Sequence, residues 1–195
     1  MKASLFVILF SCLLVPLARA GLYDSDKKDV TSGDLDDQDY WWTKFDMMML
    51  DKALEQKQPE GRIAVSIAST GRRLDDLVKK YPKHEDLKKW KEKIDDINKK
   101  IDPNANRSEA WKPGCPWDES NFAQAWVNYH WGKMQIEAKE IEPAKGTWQN
   151  VVQNFDIMLK PDRMKDYPDD LRKWVEDTKP EADKIFKQLK EANHQ

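Results

Sequence analysis

The chain has 195 residues, with 33 basic and 35 acidic side chains, a net charge of −2, seven Gly and nine Trp. No basic excess is available for a polyanion, so nucleic acid is not an expected partner, and Gly is too scarce for phosphate-cradling loops. A charged fraction of 35% with few Gly favours helices with solvated outer faces, and the length suffices for a sizeable core.

The first twenty residues read as a secretory signal peptide. Met1-Lys2 is a short basic start, residues 3–17 are largely apolar, and Ala18-Arg19-Ala20 is a small-x-small cleavage signal. The apolar run is short for a membrane span, which needs about 20 residues. Export to a periplasm or the extracellular space is therefore expected. Losing Lys2 and Arg19 takes the net charge from −2 to −4. Only Cys115 survives such processing. It cannot form an internal disulfide, so it is either buried or the link of a disulfide-bonded dimer.

Residues 21–38 hold Asp24, Asp26, Asp29, Asp34, Asp36 and Asp37 with few large apolar residues, and read as an acidic, disordered leader. No Gly turn and distal Glu complete a calcium loop there. A first helix is expected over 39–58, where Trp41, Phe45 and Met48 recur at helical spacing. Met47, Met48 and Met49 point in different directions around a helix, so they are core fillers rather than ligands of one ion. Pro59 opens a second helix that ends near Lys80, because Tyr81-Pro82 disfavours helical geometry. A third covers 84–101 with Leu87, Trp90, Ile94, Ile97 and Ile101 as a narrow stripe, and His84 at its solvated start.

Residues 102–117 form a Pro- and Trp-rich linker. It contains the sequon Asn106-Arg107-Ser108, which a eukaryotic secretory route would use, and the cluster Trp111-Lys112-Pro113-Gly114-Cys115-Pro116-Trp117. A fourth helix follows from Asp118 or Ser120 to about Ile141, with Phe122, Ala125, Trp126, Tyr129 and Ile136 inward. Pro143 opens a fifth that Pro161 ends. The sixth starts near Asp169, and Pro180 should kink or split it.

Asp86-Leu87-Lys88-Lys89-Trp90 recurs as Asp170-Leu171-Arg172-Lys173-Trp174, each time just after Tyr-Pro. The same offset of 84 superposes Trp42 on Trp126, Phe45 on Tyr129 and Pro59 on Pro143. Trp and Pro are rare enough that these matches suggest a duplication. The expected fold is all-α: six helices as two tandem, related three-helix units over 39–101 and 118–195.

Chemistry is sparse. Of three His, His194 lies in the tail, and no pair has the spacing of a zinc, di-iron or c-type haem site, so neither metal nor cofactor is implied. Nucleophilic catalysis would rest on Cys115 with His130, fifteen residues apart and unlinked by any motif. The carboxylates fall on charged outer faces. The leading expectation is an exported, non-enzymatic module that binds a protein, an envelope polymer or a small ligand through a Trp-rich groove between its halves. Trp111, Trp117, Tyr129 and Trp131 are the candidate surface, since indole faces serve both packing and recognition. The alternatives are an enzyme or cofactor carrier with a cleft site around His130 and Cys115, and a structural envelope spacer.

Overall fold

A computed structural model describes residues 29–112, 120–164, 167 and 169–192. It is all-helical, with 77% helix and no strand among the described residues. The helices are α1 (Gln38–Glu55), α2 (Glu60–Lys80), α3 (Glu85–Asn98), α4 (Ser120–Glu137), α5 (Ile141–Met158), α6 (Pro161–Met164) and α7 (Asp169–Glu191). No described helix is long and apolar enough to cross a membrane. The expected signal peptide lies outside the described residues.

Packing follows chain order. Helix α1 packs on α2 and α2 on α3, while α4 packs on α5 and α5 on α7. The main seam between the two groups is α1 against α4. In it Trp41 meets Trp126 and His130, whereas Phe45, a turn later, meets Phe122 and Trp126. Later residues of α1 thus meet earlier residues of α4, so the two helices cross in antiparallel sense.

Both α1 and α4 end in the same six-residue turn. The Lys57 and Gln58 N–H groups donate to the Leu54 and Ala53 carbonyls. Those of Lys139 and Glu140 donate to the Ile136 and Gln135 carbonyls. This is the Schellman arrangement, which puts one residue in the left-handed region, normally Gly. Here Lys occupies it both times, with φ of 52° at Lys57 and 63° at Lys139.

Trp90 packs on Tyr40 in the first turn of α1 at 5.5 Å, and Trp174 on Phe122 in the first turn of α4 at 5.4 Å. Trp42 and Trp126, superposed by the 84-residue offset, sit at different seams. Trp42 lies against Phe45 and Arg73 of α2, whereas Trp126 lies between Trp41 and Phe45 in the α1–α4 seam. Helices α1 and α4 are each 18 residues long and superpose at an offset of 82, which pairs the buried Thr43, Phe45, Met47 and Ala53 with the buried Ala125, Val127, Tyr129 and Gln135.

Among the described residues there are seven helices where six were expected. The extra one is the single turn of α6, begun by Pro161, which was expected only to end its predecessor. Pro180 does not split α7. Pro180 and Glu176 are both exposed, so the carbonyl that Pro180 leaves without a donor faces water. His84 is fully buried rather than solvated. Its Nε2 lies 2.8 Å from the Gly33 carbonyl, and its ring lies edge-on to Tyr40.

That contact belongs to a strap formed by residues 29–37, the part of the acidic leader within the described residues. Leu35 is buried. The Thr31 carbonyl accepts from the Glu85 N–H at 2.8 Å, so the strap serves the first turn of α3. Asp34 accepts from the Tyr40 hydroxyl, and Asp37 accepts from the Tyr81 hydroxyl while capping α1 through the Asp39 N–H. The aspartates are spent on side chains of α1 and of the α2–α3 corner.

The first part of the linker is bound to the same half. Glu60 accepts from the Asp102 N–H, and the Gln58 side chain accepts from the Lys112 N–H at 2.8 Å. The Asn106 carbonyl presses on the first turn of α2, where a Cβ on Gly61 would lie 2.1 Å from its oxygen.

Candidate functional site

The aromatic residues form a connected network through the α1–α4 seam. Tyr129 lies edge-on to Trp148 of α5 at 5.4 Å and to Trp174 of α7 at 6.1 Å. Phe155 adds a further edge on Trp174. Edge-to-face pairs at these separations stabilise beyond the area they bury.

Beside this network a cleft of about 210 Å³ opens between α1, α4 and the start of α7. Its walls are Met48, Phe122, Trp126, Leu171 and Trp174, and its rim is Lys52 with Asp170. Helical spacing explains the walls. Phe122 and Trp126 lie one turn apart on α4, Met48 and Lys52 one turn apart on α1, and Leu171 and Trp174 on successive turns of α7. The rim is an ion pair, Lys52 Nζ to Asp170 Oδ2 at 2.8 Å. The other carboxylate oxygen accepts from the Leu171 N–H. The bond from Lys52 holds the Asp170 carboxyl below its ordinary range. The cleft is apolar inside with one positive and one negative group side by side at its mouth.

The residues singled out from sequence go to different places. Trp111 lies under the Arg62 guanidinium on α2, 5.1 Å away, in a cation–π contact. Trp131 is partly buried against the core. Tyr129 is buried, and its hydroxyl donates to Glu181 at 2.6 Å while accepting from Lys133. Burial and the Glu181 carboxylate raise its pKa. None of the three lines the cleft, and Trp117 and Cys115 lie outside the described residues. The lining indoles are Trp126, expected to point inward on the fourth helix, and Trp174, noted in the sequence only as the end of the repeated Asp-Leu-basic-Lys-Trp stretch. A cleft at the edge of a seam uses the same apolar stripe as the core, so its only sequence signal was that both positions are Trp.

His130 lies in the seam, stacked on Trp41 at 5.0 Å and 12° and close to Trp126 at 4.3 Å. Burial lowers its pKa to about 4, the Lys44 and Lys133 cations push it the same way, and Asp34 opposes them. Among the described residues no group of three His, Cys, Asp or Glu is arranged to hold a metal ion. The chain matches no family model, no curated protein and no solved structure.

Proposed function

We propose that this protein is an exported, non-enzymatic interaction module whose cleft between α1, α4 and α7 receives one large apolar side chain of a partner protein. The observation that carries this reading is the cleft itself: a volume of about 210 Å³, five apolar walls and the Lys52–Asp170 pair at the mouth. An apolar cavity of ~150 Å³ takes a benzene ring, so this volume suits a single aromatic or branched side chain. The rim argues for a peptide as the source. A carboxylic acid or an amine meets one attracting and one repelling charge there. A main-chain amide brings a carbonyl for Lys52 and an N–H for Asp170.

The module is read as two related three-helix units, α1–α2–α3 and α4–α5–α7. Support comes from the matching lysine-bearing turns, from Tyr40 and Phe122 against Trp90 and Trp174, and from the shared burial pattern of α1 and α4. The seam between units then sets the cleft's position. Export is supported by residues 1–20 as read from sequence.

The test is a titration of isotopically labelled protein with N-acetylated, C-amidated Trp, Phe and Leu, and with the corresponding free acids. Blocked amides should shift the resonances of Trp126, Trp174 and Leu171 and outcompete the acids. Met48→Trp should fill the cleft and abolish the shifts while the protein still melts cooperatively. Shifts absent for every blocked amide, or unaffected in a folded Met48→Trp protein, would overturn the reading.

A further inference from the structure

We propose that Asn106 is an N-glycosylation site, the acceptor of an oligosaccharide transferred from a lipid-diphosphate carrier. Asn106-Arg107-Ser108 has the required residue at each position, with no Pro at the middle or following one. No other Asn in the chain is followed two positions later by Ser or Thr.

The structure adds what the sequence could not supply. Asn106 and Ser108 are both exposed, while the Asn106 main chain is fixed: its carbonyl is pressed on Gly61 and accepts from the Glu109 N–H. Its side-chain oxygen accepts from the Ser108 N–H at 3.0 Å. Among the described residues the Asn106 side-chain nitrogen and the Ser108 hydroxyl have no hydrogen-bond partner. The nitrogen that would carry the sugar therefore points into solvent from an anchored turn, and a glycan there displaces no packing. A sequon in the α1–α4 seam or on the buried face of a helix would have to unfold its surroundings to accept one.

The step is a substitution. The Asn106 side-chain nitrogen bonds to the anomeric carbon as the bond from that carbon to the diphosphate oxygen breaks. The lipid diphosphate leaves with the electron pair, and the nitrogen gives up one proton to a base of the transferase.

The inference rests on the export reading, and the experiment separates the two. The full chain is expressed in cultured animal cells with its own residues 1–20, and in parallel with those residues replaced by the leader of an established secretory protein. Chain from cells and medium together is digested with and without peptide N-glycosidase and mapped by mass spectrometry. The expected result is a glycan on the 106 peptide, with aspartate left at position 106 after digestion. N106Q and Ser108→Ala should each lose the whole mass increment, and Ser108→Thr should keep it. Modification only with the replaced leader would leave the site standing and remove the export reading. An unmodified Asn106 in chain whose replaced leader has been cleaved would overturn the site itself.

Discussion

Replacing His130 with Gln should flatten the acid dependence of folding. The imidazole lies against the Trp41 and Trp126 rings, with Lys44 of α1 and Lys133 of α4 as the cations around it and Asp34 of the strap as the anion. Burial, helped by the two lysines, lowers its pKa from 6.5 to about 4. Above pH 6.5 both the folded and unfolded chains carry a neutral ring, and His130 contributes nothing to the pH dependence. As pH falls below 6.5 the unfolded chain takes up a proton that the folded chain refuses until about pH 4, so stability falls across that window and levels off below it. The loss attributable to this one ring is about 2 kcal/mol at pH 5 and about 3 kcal/mol at pH 4. Urea unfolding of the native and His130→Gln proteins at pH 7 and pH 5 measures it, in a range that avoids most carboxylate titration. The native protein should lose about 2 kcal/mol more than the variant between the two pH values. Equal losses would mean that the seam does not hold the ring neutral. So would a His130 pKa at or above 6.5 by NMR, which would mean that the indole faces hold an imidazolium more strongly than burial disfavours it.

Glycine substitutions should divide by environment. Gly132→Ala should cost about 1–3 kcal/mol in chemical denaturation, because its Cβ would lie 2.7 Å from the Trp148 Nε1 where α4 meets α5. Gly146→Ala, exposed on α5 with nothing within 4 Å of a Cβ, should stabilise by roughly 0.5–1 kcal/mol through helix propensity. Lys57→Gly and Lys139→Gly should each stabilise by about 1 kcal/mol, since both relieve a left-handed backbone at a helix end, and the two effects should add in thermal melts of the double variant.

Helix positions were legible at several of the ends that Pro marks, although α5 opens at Ile141, two residues before the expected Pro143. Pro59 and Tyr81-Pro82 bracket α2 as expected. The apolar stripes also placed Trp41, Phe45, Leu87, Ile94, Phe122, Ala125 and Tyr129 in the core. Three features escaped. The Trp42–Trp126 match drew its weight from the rarity of Trp, but contact partners depend on which face of the helix a residue occupies, and a two-residue slip changes that face. The strap escaped because aspartates look solvated in composition, whereas Asp34 and Asp37 are engaged by Tyr40, Tyr81 and nearby lysines. The cleft escaped because it is a gap between three helices distant in sequence, bridged by Lys52 and Asp170, 118 positions apart.

The strap has a bearing on the order in which this protein assembles. Neighbouring helices meet through short loops, so most of the packing is local and quick to form. The bonds from Thr31 and Gly33 to the start of α3 instead close a circuit of about fifty residues and cannot form until α1 and α2 are in register. They are the natural last latch on the first three helices. The amide protons of Glu85 and its neighbours thus exchange on the strap's schedule rather than on that of the aromatic interior.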